Sequence, residues 1–177
     1  MYKIFLFELF GALLISITGS LLHFVYDWSK NYKPLALISA VNESTWEHLK
    51  IAFWPALIYS VLEYLPISNI TNNFIISKAA CLLVIPISIV ILFYSYTAII
   101  GHNFLIVDIS IFLLSICFGQ IISFKLLTMP QLPSFLTFIS LLIIVILIIQ
   151  FSMFTFFPPK LLIFKDPVKG GYGIYKK

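Results

Sequence analysis

Long apolar runs separated by short polar breaks organise this chain, and their lengths predict its elements. The first run, Ile4 to Tyr26, holds 23 residues. At about 1.5 Å of rise per residue it can cross a hydrocarbon core of about 30 Å. Glu8 near its start, His23 and Asp27 at its end, and its length distinguish it from a signal-peptide core of about 7–15 residues. It reads as a retained helix. Trp28 to Val41 is a connection whose apolar part, Leu35 to Val41, is too short to span and so sits at the interface or dips into the protein.

Ser44-Thr45-Trp46-Glu47 has the capping-box form, in which serine and glutamate satisfy each other's orphan N–H groups, and it opens a second helix. That helix runs to about Leu65, with Pro55 kinking it and Pro66 ending it. After a polar turn at Asn69 to Asn73, a third helix covers about Ala79 to Ile100. Gly101-His102-Asn103 turns the chain into a fourth, about Phe104 to Leu127. Met129 to Pro133 breaks it again before the uncharged run Phe135 to Phe157, which Pro158-Pro159 stops. The expected architecture is an all-α, polytopic bundle of five transmembrane helices. Residues 1–160 form the single membrane domain and residues 161–177 a short tail with lysines and glycines.

Composition agrees. The chain has 177 residues, 61% hydrophobic and only 10% charged, with mean hydropathy +1.07. A water-soluble globular domain is nearer half apolar and a quarter charged. All 11 basic residues are lysine, so the arginine fork that clamps phosphate or reads guanine is missing, and nucleic acid is not an expected partner. Cys81 and Cys117 lie in apolar runs and make neither a disulfide framework nor a zinc-type pair. The bias toward Ile, Phe, Lys, Asn and Tyr suggests an AT-rich bacterial genome. Five spans put three lysines on one side (Lys3, Lys78, Lys125) and eight on the other (Lys30, Lys33, Lys50, Lys160, Lys165, Lys169, Lys176, Lys177). The positive-inside rule then places the amino end outside and the tail in the cytoplasm of a multi-pass protein of the bacterial plasma membrane.

With helices placed, the ionisable residues sort by depth. His23 and Asp27 close helix 1; Glu43, Glu47 and His48 open helix 2; His102 lies in the turn between helices 3 and 4; Asp108 is about two turns further in. All three histidines thus fall at one membrane face. Ser16, Ser20, His23 and Asp27 share a helical stripe, as do Asp108, Ser115, Gly119 and Ser123, and such stripes should face protein. Three imidazoles with a carboxylate behind them make the ligand set of a hydrolytic zinc site with an open position. On that reading His23, His48 and His102 are ligands, Asp27 orients His23, and Glu43 or Glu47 is the general base. The plain alternative makes Glu47 a cap, His48 an interfacial aromatic, His23–Asp27 a local helix pair and His102 a turn residue. A second group, Glu8, Glu63, Lys78 and Lys125, lies toward the other face. Charge neutralisation between helices accounts for it, and a proton or cation path is the sharper alternative. Trp28, Trp46, Trp54, Tyr26, Tyr32 and Tyr64 fit an interfacial belt.

His23-x-x-x-Asp27-Trp28 and the segment Val41 to Lys50, with its Asn-Glu-Ser-x-Trp-Glu-His core, lead into Phe53-Trp54-Pro55. Together with Phe157-Pro158-Pro159-Lys160, Asp166-Pro167 and Gly171-Tyr172-Gly173, they resemble an uncharacterised family of small bacterial integral membrane proteins. The resemblance covers nearly the whole chain and implies a multi-helix membrane fold without a mechanism. A looser similarity is to membrane-embedded zinc hydrolases of the alkaline ceramidase type, which also gather histidines, an aspartate and a serine at one face. Five expected helices instead of seven, and no paired-histidine spacing, separate this chain from them. The functional expectation is a lipid- or small-amphiphile-handling membrane protein, a metal-dependent hydrolase in its sharpest form. The competing class is a non-catalytic solute-binding, transport or accessory subunit.

Overall fold

The computed structural model describes residues 1–175; Lys176 and Lys177, counted above with the tail lysines, lie outside the described residues. Its helices are α1 (Tyr2–Trp28), α2 (Thr45–Ile67), α3 (Phe74–Ile100), α4 (Leu105–Thr128) and α5 (Ser134–Phe156), with short 3-10 turns at Lys33–Leu37, Ser68–Ile70 and Leu162–Phe164. All five helices are long and apolar enough to cross a membrane. The protein is an all-α, multi-pass membrane bundle, and its outward-facing Leu, Ile and Phe side chains present the apolar surface that lipid requires.

Consecutive helices run antiparallel. Lys3 Nζ donates to Pro66 O at 3.0 Å, joining the start of α1 to the end of α2. Asn73, just before α3, donates to Leu126 O and Pro130 O, both at 3.0 Å, and accepts from Leu132 N at 2.8 Å. One side chain thereby fastens the start of α3 to the end of α4. At the other end of the bundle α3 stops on Gly101, whose φ of 86° supplies the left-handed C-terminal conformation that glycine adopts without strain. The core is filled by rings from α2 and α5: Phe151 stacks on Phe53 at 4.4 Å and on Trp46 at 4.6 Å between ring centroids.

Several boundaries differ from the sequence reading. α3 starts at Phe74 and encloses Lys78, because that ammonium is neutralised inside the bundle. α2 continues past Pro66 to Ile67. The capping box does not form: Ser44 makes no side-chain cap bond, and its N–H donates to Asn42 Oδ1 at 2.8 Å. Glu47 instead accepts from Val41 N at 3.1 Å and pairs with Lys50. Lys50 is fully buried and also donates to Ala36 O at 2.7 Å and Thr155 Oγ1 at 2.9 Å. It is therefore not an interfacial lysine. The connection around Ala36 dips into the protein, and its unpaired carbonyl attracts the ammonium.

The buried line of α1 is Ile4, Glu8, Gly11, Ile15, Gly19 and Tyr26; of the expected polar stripe, Ser16 and His23 are half-buried whereas Ser20 and Asp27 are exposed, so the stripe faces protein only in part. Ser16 and Ser20 satisfy their hydroxyls on the carbonyls four residues back, which removes any need for a protein neighbour. On α4, Ser115, Gly119 and Ser123 are buried as expected. Trp46 belongs to the core, while Trp28, Tyr32 and Tyr64 are exposed where a belt would be.

The chain after α5 folds back on the start of α2. Phe164 packs against Trp46 at 4.7 Å, and Asn42 Nδ2 donates to Gly173 O at 2.9 Å. Asp166 organises this segment, accepting from Tyr175 OH at 2.7 Å, Val168 N at 2.8 Å and Lys169 N at 3.2 Å. Burial alone would push its carboxyl up, but these donors and the Lys169 charge hold it below the usual carboxylate range. A depressed carboxyl stabilises the fold above its unfolded value and loses that stabilisation as pH falls through the lower folded value. Asp166→Asn is therefore expected to loosen residues 161–175 at neutral pH, and acid below about pH 4 to do so in the parent protein. Amide exchange of the segment measures both.

Candidate metal centre

The end of α1, the loop before α2 and the first turn of α2 meet at one end of the bundle. His23 Nε2 and His48 Nε2 are 3.2 Å apart. Glu43 Oε2 lies 3.6 Å from the first and 3.7 Å from the second. These three residues form the one His/Cys/Asp/Glu group, among the described residues, whose ligand atoms approach closely enough to hold a metal ion.

The backbone sets one imidazole in advance. His48 Nδ1 is 2.9 Å from the carbonyl oxygen of Ser44, the residue that precedes α2. A carbonyl can only accept, so Nδ1 carries the proton and the Nε2 lone pair is left free. That lone pair faces His23 Nε2. A backbone carbonyl on the non-ligating nitrogen is the usual orienting partner of a metal-bound histidine. Glu43 completes the set from the loop and is half exposed. The hydrogen bond from the adjacent His23 imidazole holds its carboxyl below the ordinary range, against partial burial and the Asp166 charge. It is thus anionic at neutral pH, as an oxygen donor to a cation must be.

The spacing of the three atoms suits a cation. Bonds of about 2.0–2.2 Å at a tetrahedral centre place neighbouring ligand atoms about 3.3–3.6 Å apart. The observed triangle, 3.2, 3.6 and 3.7 Å, matches one face of such a tetrahedron. The fourth position opens outward, since both imidazoles are partly exposed and Glu43 more so.

The other residues singled out in the sequence are placed elsewhere. His102 is exposed in the α3–α4 turn, edge-on to Phe104 at 4.6 Å, and takes no part in the cluster; Glu43 occupies the third place instead. Asp27 is exposed and accepts from Asn31 Nδ2 at 3.4 Å rather than orienting His23. Glu47 is buried against Lys50 and cannot serve as a base at the triangle. Asp108 accepts from Tyr96 OH and from Asn103 Nδ2 at 2.7 Å, which fixes the start of α4. The sequence had no signal for the Ser44 carbonyl, because any residue supplies one. Glu43 was expected as one of two candidate general bases, and the structure groups it with the two imidazoles instead.

Comparison with curated proteins and with solved structures found no match. The sequence matches the family of unknown function DUF6512 across residues 4–174, a span that holds α1 from Ile4, the other four helices whole, the candidate centre and nearly all of the returning tail. The chain belongs to that family.

Proposed function

We propose that the protein is a metal-dependent membrane hydrolase of a lipid or small amphiphile, with His23, His48 and Glu43 holding one divalent ion, zinc by the character of the donors. The observation that carries this reading is the triangle of two imidazole nitrogens and one carboxylate oxygen at tetrahedral spacing, with the His48 tautomer set by Ser44 O. Two histidines, one glutamate and an open position form a catalytic rather than a closed structural donor set. Such an ion lowers the pKa of bound water toward about 7. The chain's own contribution is to hold the imidazoles at a fixed angle and to supply Glu43, whose second oxygen can take the proton that the attacking water loses.

The level of the site suits a substrate anchored in the bilayer, because the ends of membrane helices lie where ester linkages and headgroups do. Exposed lysines favour placing this end in the cytoplasm of a bacterial plasma membrane. Lys30, Lys33, Lys160, Lys165 and Lys169 lie at it, and Lys3 and Lys125 lie at the other. Metal analysis of the full-length protein in nanodiscs tests the ion, with one zinc per chain expected. Release of fatty acid or headgroup from short-chain ester and phosphoester amphiphiles, abolished by chelation and restored by zinc, tests the chemistry. Stoichiometric metal without turnover would leave a binding protein and overturn the hydrolase. Absence of bound metal from zinc-supplemented preparations would overturn both.

A further inference from the structure

The end of the bundle away from the histidines buries an unbalanced set of charges. Lys78 Nζ on α3 donates to Glu8 Oε1 on α1 at 2.6 Å, to Glu63 Oε2 on α2 at 2.8 Å and to Ser123 Oγ on α4 at 2.9 Å. Those three bonds use every ammonium proton. Ser123 Oγ also donates to Glu8 Oε1 at 2.9 Å, and Ser77 Oγ donates to Ser123 O at 3.0 Å. Four helices thus converge on one nitrogen, and Glu8, Glu63, Lys78 and Ser123 are each at least 95% buried.

Two carboxyls face this one ammonium. Each keeps a buried oxygen without a hydrogen-bond partner, Glu8 Oε2 and Glu63 Oε1, and Gln120 Oε1 on α4 is likewise buried and unpartnered. The remaining titratable neighbours offer no second positive charge. The Tyr59 hydroxyl from α2 donates to Phe7 O, and Cys81 is a buried thiol on α3. Lys3 is exposed and bound to Pro66 O, and Lys125 is exposed in the last turn of α4. With both carboxyls ionised, the interior would hold a net negative charge in a medium that does not solvate it. Two carboxyls that share one site resolve such a conflict by keeping a proton.

We infer that Glu8, Lys78 and Glu63 form a binding site for one monovalent cation, a proton held on the free carboxyl oxygens. Loaded, the cluster is neutral; unloaded, it carries the charge that the membrane interior opposes. Glu63 also lines a cleft of about 200 Å³ with Phe7, Phe10, Leu14, Tyr59 and Leu62, through which the proton can exchange. Sodium would satisfy the same charge count, and the test separates the two.

Infrared difference spectroscopy of the full chain in sodium-free nanodiscs reads the proton directly. A protonated-carboxyl C=O band is expected at neutral pH, and it should vanish in Glu8→Gln and in Glu63→Gln. Both variants leave one carboxylate against Lys78 and so remain neutral and folded. Lys78→Met removes the ammonium, and the band should double. Loss of the band when sodium is added at constant ionic strength, with proton release, would identify sodium as a competing occupant of the same site. A neutral-pH spectrum with no band that depends on Glu8 or Glu63 would overturn the inference, because both carboxyls would then be ionised. A full-strength band in both glutamine variants would overturn it equally.

Discussion

Replacing Lys50 by methionine is expected to destabilise the bundle by about 3–5 kcal/mol, the cost of leaving one partner of a buried ion pair uncompensated. Its ammonium joins three parts of the chain that are distant in sequence: Glu47 on α2, the Ala36 carbonyl in the first connection and the Thr155 hydroxyl near the end of α5. Methionine matches the stem but donates nothing. The Glu47 carboxylate would lose its charge partner, and the Ala36 carbonyl would lose the donor that holds the connection inside the protein. In a bundle of this size that is a large fraction of total stability. The double change Lys50→Met with Glu47→Gln removes the stranded charge and is expected to recover more than half of the loss. Reversible unfolding in mixed micelles measures both. A single variant within about 1 kcal/mol of the parent, the scale of an exposed pair, would show that the contact does not hold the fold together.

Removing one ligand of the candidate centre has the second large effect. Loss of an outer-shell partner typically weakens a metal site 10–100-fold. Removal of a direct ligand should exceed that, so His48→Ala and His23→Ala are each expected to weaken zinc binding by more than about a hundred-fold. Glu43→Gln keeps shape and polarity but removes the anionic oxygen, and it is expected to weaken binding in the same direction. His102→Ala and Asp27→Asn should leave zinc affinity unchanged, because neither belongs to the triangle. Competition with a chromogenic chelator gives the constants, and cobalt in place of zinc gives a visible spectrum that reports tetrahedral coordination. Equal losses in His48→Ala and His102→Ala would contradict the observed grouping. The variants are read on folded protein, each with its melting transition compared with that of the parent, because the His23 and His48 side chains are only 27% and 36% exposed.

The legibility of the fold and of the site differed for physical reasons. Lipid imposes length and apolarity on anything that crosses it, so each span is written as an uninterrupted run and could be read locally. Five spans, their approximate limits and the gathering of polar groups at the two ends followed from that alone. Errors arose where an interaction between distant residues overrode a local signal. Ser44 and Glu47 have the spacing of a capping box, yet Lys50 and the Val41 N–H claim Glu47 because the loop before α2 folds inward. Lys78 looked like a flanking charge, yet Glu8 and Glu63 draw it into α3. His23 and Asp27 stand four apart on one helix, yet His23 turns to His48 across the α1–α2 junction.

The sequence by itself therefore determined the class of this protein, the number of its membrane helices and the ends at which chemistry can occur. Helical periodicity and hydrophobic length are properties of neighbours along the chain. The tertiary structure alone decided which polar residues belong together: His23, His48 and Glu43 as one group, Glu8, Lys78 and Glu63 as another, with His102 in neither. Grouping depends on which helix faces cross and at what depth. In a chain this apolar, small residues and ring packing bring the helices close, and buried polar groups such as Asn73, Lys50 and Lys78 then fasten particular faces together.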